Sequence, residues 1–166
     1  MNNLSATIKG LITGIVMILI SVLIFKVAGN FENNLQYITY ATYIGGIAWT
    51  LISFHNSAVE KRKFRNYFSE GFRCFVVVTL LMVLFTFIFV KLNPSLKEEM
   101  ARQSRIDLVK KSNYTPAEID TMVENARKYF ITMLMSIAIF GYLAIGSVLT
   151  AVISAILIRN KKPVNQ

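Results

Sequence analysis

Thr39, Tyr43, Gly46, Thr50, Ser53 and Ser57 follow one another at steps of four and three residues. That spacing places them on a single face of an α-helix. A row of hydroxyls on one face can bond to neighbouring helices, or it can line a path for water or a small solute. Thr39, Tyr43, Thr50, Ser53 and Ser57 therefore form a candidate polar stripe. His55 is the only histidine and stands beside Asn56 and Ser57. Its imidazole could exchange a proton near neutral pH, but the sequence shows no partner for it, so an interfacial polar role is the plainer reading. Cys74 is the only cysteine, which excludes an intramolecular disulfide and a multi-cysteine metal site. The sequence contains no Gly-x-Ser-x-Gly, no His-Glu-x-x-His and no paired intramembrane aspartates. Neither an enzyme nor a metal or other cofactor is expected.

The elements that must position these residues are long and apolar. Four runs, at about 8–28, 35–57, 72–91 and 131–158, dominate the 166 residues. A helix needs about 20 mostly apolar residues to cross the hydrocarbon core of a bilayer, and each run is about that long or longer. Hydrophobic residues make up 54% of the chain, too many for an ordinary soluble domain of this size. The expected fold is all-α: a polytopic membrane protein, one domain over residues 1–166, built as a four-transmembrane-helix bundle. Val27-Ala28-Gly29 could be read as a cleavage site after a signal peptide. The apolar run before it is long for that role and Lys26 interrupts its end, so an uncleaved span is expected.

A net charge of +9 would suggest nucleic acid in a soluble protein, but no nucleic-acid-binding module accompanies it and no nucleic-acid partner is expected. In a membrane protein, lysine and arginine in short loops set the orientation. Lys9, Lys61, Arg62, Lys63, Arg65, Arg73, Arg159, Lys161 and Lys162 would share one side with Glu60 and Glu70, net +7, against net +2 for the rest of the chain. Both termini and the loop around 59–70 are therefore expected in the cytoplasm. In that loop the cations alternate with Phe64, Tyr67 and Phe68. A short helix on the membrane surface is expected there, with Lys61, Arg62, Lys63 and Arg65 as candidate contacts to anionic lipid headgroups.

Small residues mark the packing faces. Gly10, Gly14 and Ser21 share a face of the first run, with Met17 between them; Gly146, Thr150 and Ser154 form a ridge on the fourth, beside Ser147, Ala151 and Ala155. Such residues let helices approach closely. The third run, rich in β-branched and aromatic residues, reads as a lipid-exposed helix. Between the third and fourth runs, residues 93–130 carry helix-start signals. Ser95-Leu-Lys-Glu98 fits a capping box with Asn93 or Ser95 as cap. In Tyr114-Thr-Pro-Ala-Glu-Ile119, Thr115 suits the cap, Pro116 the first helical position, and Glu118 the reciprocal bond. These signals predict an extracytoplasmic helical hairpin, with arms near 95–111 and 116–129 turning at Ser112-Asn113-Tyr114. Its second arm continues into the fourth run, and an apolar stripe of Ile119, Met122, Val123, Ala126 and Phe130 packs on the first arm, the membrane surface or a partner.

Several of these features, in this order and spacing, resemble a bacterial inner-membrane family known as a domain of unknown function, number four-one-nine-nine. They are the Ile8-Lys-Gly-Leu-Ile-Thr-Gly14 opening, the basic loop leading into Phe68-Ser-Glu-Gly-Phe72, Asn93-Pro94, the Pro-Ala-Glu helix start, and Val152-Ile-Ser-Ala-Ile-Leu-Ile158 before a basic tail. The resemblance implies four spans and a helical extracytoplasmic loop, and brings no activity with it. The residues themselves favour a non-enzymatic inner-membrane protein acting through interactions, with the lipid bilayer, a membrane-protein partner or further copies of itself around it. The alternative is a small oligomeric transporter or channel using the polar stripe. All three prolines lie outside the apolar runs and no acidic residue sits in the middle of one, which argues against transport.

Overall fold

Runs of this length without an internal proline leave the backbone one economical way to satisfy its N–H and C=O groups away from water, which is to coil. The computed structural model describes residues 4–28, 35–57, 63–111 and 113–159, and every element among them is α-helical. In chain order these are α1 (Ala6–Ala28), α2 (Gln36–Asn56), α3 (Phe64–Leu92), α4 (Ser95–Lys110) and α5 (Pro116–Arg159). Three stretches among the described residues are long and apolar enough to cross a membrane: Ala6–Val27, Phe64–Leu92 and Pro116–Arg159. The second expected span, 35–57, forms its helix but is not among these three. The hydroxyls of its polar face and the polar residues at its ends, Gln36 and Tyr37 at one and His55 and Asn56 at the other, dilute its isoleucines and leucine.

The chain divides into two compact units, one of residues 1–82 with 139–166 and one of residues 83–138. In the first unit each helix buries one face. On α1 this face is Lys9, Gly10, Thr13, Gly14, Met17, Ser21 and Ile24, the three-and-four spacing of a single helical stripe. On α2 it is Thr39, Tyr43, Gly46, Ile47, Thr50 and Leu51. The expectation of a lipid-exposed third helix holds for only part of its surface, because Tyr67, Gly71, Cys74, Phe75, Val78, Thr79 and Met82 are buried. An almost uniformly apolar sequence hides such a face, since no polar residues mark the opposite side. Leu80 and Leu84, by contrast, are well exposed. On α5 the buried ridge of this unit is Gly146, Thr150 and Ser154, while Ala155 of the neighbouring ridge is exposed.

Glycines set the distances between these faces. A Cβ at Gly10 would stand 2.6 Å from the Cys74 carbonyl oxygen, and one at Gly14 would stand 2.6 Å from a Leu81 methyl. At Gly46 it would run into the Thr13 side chain, at Gly71 into Thr150, and at Gly146 into Tyr43 and Phe75. The α1–α3, α1–α2, α3–α5 and α2–α5 contacts thus each include a glycine with no room for a side-chain carbon.

The segment read as a separate surface helix is part of α3, which begins at Phe64 and runs without a break to Leu92. Hydropathy changes near Phe72, but backbone hydrogen bonding does not stop there. Phe64 and Phe68, one turn apart, stack with their ring centroids 5.9 Å apart.

In the second unit, α4 starts differently from the expected capping box. Pro94 occupies the cap position with no side-chain cap bond. The side-chain amide of Asn93 donates back to the Phe89 carbonyl at 2.8 Å, and Glu98 is engaged by Arg127 instead. The start of α5 matches the local signal closely. The Thr115 backbone N–H donates to Glu118 Oε2 at 2.7 Å, and the Glu118 N–H donates to Thr115 Oγ1 at 3.4 Å. Two ion pairs join α4 to α5. Arg105 meets Asp120 at 2.5 Å, and Arg127 holds Glu98 through both its Nε and a terminal nitrogen. Seven residues back along α4 correspond to seven forward along α5, the relation of antiparallel neighbours. Ala101, Ile119 and Phe130 are buried in this unit.

Two outcomes follow from this packing. Gly10→Ala must displace the α3 backbone and should lower the stability of the detergent-solubilised protein by about 1–3 kcal/mol. Gly45→Ala, with nothing within 4 Å of the added carbon, should leave stability unchanged or raise it by up to about 1 kcal/mol; thermal unfolding of the two variants side by side checks the contrast. The second outcome concerns pH. The hydrogen bond from Arg127 holds the Glu98 carboxyl below the usual carboxylate range, and the Thr115 backbone N–H does the same for Glu118. Both groups are lowered on folding, so their contribution is complete above the ordinary glutamate value of about 4.3 and is lost as pH falls through the lowered values. Hydrogen exchange of residues 95–127 should therefore be flat in protection from neutral pH to about pH 5 and weaken below it. Glu98→Gln should start from lower protection at neutral pH and show a smaller acid-induced loss; an unchanged acid loss in that variant would remove the Glu98–Arg127 pair from the account.

Candidate functional site

The polar face of α2 meets a neighbouring helix along most of its length. Thr39 is buried near one end. Tyr43, fully buried, donates its hydroxyl to the Tyr142 carbonyl on α5 at 2.8 Å, and the two rings meet edge to face with centroids 5.4 Å apart. Thr50 donates to the Gly46 carbonyl of its own helix at 2.9 Å, and its oxygen lies 3.3 Å from Cys74 Sγ on α3. Ser53 accepts a hydrogen bond from the Lys9 ammonium on α1 at 2.6 Å. Ser57 turns back to the Phe54 carbonyl at 2.9 Å. The structure therefore draws Tyr43, Thr50 and Ser53 into contacts with three different helices, while Ser57 bonds within its own chain segment. Of the candidate headgroup contacts, Lys63 and Arg65 are exposed at the start of α3. Lys61 and Arg62 lie outside the described residues.

Lys9 is the residue that sequence reasoning assigned only to topology. It is 5% exposed, with its ammonium on Ser53 and 5.6 Å from the centre of the Trp49 ring. A lysine so placed loses most of its hydration, and a hydroxyl and a ring face return only part of it. The signal was present in the sequence. Lys9, Thr13, Met17 and Ser21 recur at every fourth residue, on the face where Gly10 and Gly14 sit. A charge on a helix-packing face points inward.

Lys9 also borders a cleft of about 250 Å³, which is lined by the first turns of α1, by Thr50, Ser53 and Ser57 of α2, and by Glu70 and Arg73 of α3. Arg73 pairs with Glu70 at 3.3 Å, the arginine side chain remaining 62% exposed. Nearby, His55 has a partner that no sequence neighbour supplied. Its Nδ1 lies 2.9 Å from the hydroxyl of Tyr67, a residue with no exposed surface, whose ring also meets Phe54 edge to face at 5.2 Å. Thus α1, α2 and the start of α3 gather a buried cation, a cation–carboxylate pair and several hydroxyls around one opening. Among the described residues no group of three histidine, cysteine or carboxylate side chains is placed to hold a metal ion.

The family described as "Protein of unknown function (DUF4199)" matches residues 9–159, nearly the whole chain and all five helices in part or in full. The chain belongs to this family. Neither a curated protein nor a solved structure matches it. DUF4199 membership brings no activity, so the chemistry of this member rests on its own side chains. Its apolar helices suit a membrane protein.

The bond between Lys9 and Ser53 generates a measurable coupling. A double-mutant cycle of Lys9→Met and Ser53→Ala, followed by thermal or denaturant unfolding in detergent, should give an interaction energy of about 1.5–3 kcal/mol, the range for hydrogen bonds to charged groups. Additive effects would mean that the ammonium is held by something else.

Proposed function

We propose that this DUF4199 member is a non-enzymatic, multi-pass protein of the bacterial inner membrane that acts by interaction with other proteins. One observation carries this reading. The polar face of α2, the feature best suited to a solute path, is occupied by contacts with α1, α3 and α5 at Ser53, Thr50 and Tyr43. A stripe engaged in this way holds helices together, which favours an interaction or accessory protein over a transporter or channel.

In this reading α2 crosses the bilayer together with the three more apolar helices, its hydroxyls shielded by them, and gives a four-span bundle. Both termini and the start of α3 face the cytoplasm, as the excess of lysine and arginine on that side favours. Lys61, Arg62, Lys63 and Arg65 then lie near anionic lipid headgroups. The antiparallel ion pairs support reading α4 and the first part of α5 as a helical hairpin outside the membrane. This hairpin leaves Ile106, Val109, Met122 and Tyr129 substantially exposed among its charges. Apolar groups set in a charged surface suit a docking face for a membrane-protein partner or a second copy of the chain.

Crosslinking in native membranes with identification of the captured proteins tests this reading. Deleting residues 98–124 should abolish most captured partners while leaving membrane insertion intact; recovery of every partner by the deleted protein would remove the hairpin as the contact surface. Reporter fusions after Asn34, Asn66 and Asn113 should report outside, inside and outside. A cytoplasmic Asn113 would overturn the orientation.

A further inference from the structure

We infer that the cleft beside Lys9 is a binding site for a phosphate-bearing anion, with the headgroup of an acidic phospholipid as the ligand it fits best. This goes beyond the interaction reading and does not depend on the hairpin. Three observations converge on it. The Lys9 ammonium, on a residue 5% exposed, has one hydrogen-bonding partner among the described residues, Ser53. An ammonium carries three donors, and a buried cation held by one hydroxyl and the face of the Trp49 ring is incompletely compensated. The carboxylate that lines the same cleft, Glu70, is paired with Arg73 rather than with Lys9. Among the described residues the cleft thus brings two cations and one anion to its walls, a net charge of one positive.

The first turn of α1 forms another wall. The early N–H groups of a helix have no intrahelical acceptors and point outward, so a helix start adds to the attraction for an anion. Ser5 already uses this geometry locally, since the Ile8 N–H donates to its hydroxyl at 3.3 Å. Ammonium, guanidinium, helix start and the hydroxyl of Ser53 together match the several acceptor oxygens of a phosphate better than the two of a carboxylate.

Size and edge composition select within the phosphate class. A volume of about 250 Å³ lies just below the range of about 300–1,000 Å³ usual for drug-sized ligands. A phosphate with a small headgroup fits. Leu4 and Phe54 also line the cleft, which gives it the apolar edge that a lipid's glycerol and acyl chains need and a free phosphate does not. Basic pockets between membrane helices are known to take acidic lipid headgroups for the same physical reason.

The full-length protein in neutral detergent tests the site, with short-chain phosphatidylglycerol, short-chain phosphatidylcholine and inorganic phosphate added in separate thermal-unfolding titrations. Phosphatidylglycerol should raise the unfolding midpoint saturably. Lys9→Met should weaken its apparent affinity at least tenfold and Arg73→Gln several-fold. Lys110→Gln with Lys111→Gln, exposed and not lining the cleft, should change it less than twofold, whereas Lys63→Gln with Arg65→Gln reads out headgroup contact at the membrane surface separately. If inorganic phosphate protects equally, through the same two residues, the phosphate site stands and its source is soluble. Equal protection by phosphatidylcholine overturns the proposal, as does no saturable protection by any of the three, or a loss that follows Lys63 and Arg65 alone. Should Lys9→Met fail to fold, Arg73→Gln decides, because that side chain is 62% exposed and tolerates replacement. Wild-type affinity in Arg73→Gln then overturns the site.

Discussion

Where α1 crosses α3, Gly10 lies so close to Cys74 that a single added carbon would meet the Cys74 carbonyl at 2.6 Å. Much of the first unit depends on that approach and its counterparts at Gly46, Gly71 and Gly146. Between helices surrounded by lipid, burying apolar surface gives little net drive, because a lipid tail is as apolar as a leucine. Van der Waals contact and interhelical hydrogen bonds must do the work, and both fall off steeply with distance. A glycine at each crossing brings the helices within range. The hydroxyls of Tyr43 and the ammonium of Lys9 can then reach acceptors on the next helix. With larger residues at the crossings, the same polar groups would face one another across gaps too wide to bond.

The close approach also explains why α2, which lacks an apolar stretch like those of α1, α3 and α5, still belongs to the packed unit. Its polar residues carry a desolvation cost when taken from water, and each hydroxyl without a partner would cost about 1–3 kcal/mol. Tyr43, Thr50 and Ser53 avoid that cost by bonding within the unit. Thr150 and Ser154 on α5 differ. Their buried hydroxyl oxygens have no hydrogen-bond partner among the described residues. Thr150 sits where Gly71 leaves room for its side chain, so its position is set by shape rather than by bonding.

How much of this could be read from the residues depends on the range of the interaction involved. The Thr115–Glu118 cap is a contact over three residues, and its chemistry is written in those residues, so sequence and structure agree to the level of individual bonds. The polar face of α2 was legible as a face because hydroxyls contrast with isoleucines at helical spacing; which helix each hydroxyl meets was not. The buried face of α3 gave no such contrast, being apolar like the rest. The start of α3 was misplaced because hydropathy locates the edge of an apolar run, whereas the helix ends where its hydrogen bonds end. At α4 the capping motif was present, but Glu98 found a stronger partner in Arg127, twenty-nine residues away. Local signals lose when a charge-assisted tertiary contact competes for the same carboxylate.

Lys9 shows how one residue can be counted for one purpose and used for another. It was one of nine basic residues assigned to the cytoplasmic side, yet it is buried against Ser53 rather than anchored in headgroup water. Removing it from the balance leaves eight basic against two acidic residues, net +6, still well above the net +2 opposite. The proposed orientation therefore does not need Lys9, and topology alone does not account for a lysine in this position. An exposed loop lysine would serve insertion equally well and without the desolvation penalty. What its burial adds is a positive charge fixed by Ser53 at the edge of a cleft, where a mobile surface lysine would be screened and disordered. A fixed and partly dehydrated charge attracts an anion more strongly than the same charge in water. That difference is the physical reason to regard this end of the first unit, rather than the centre of the polar face, as the place where the protein binds a ligand.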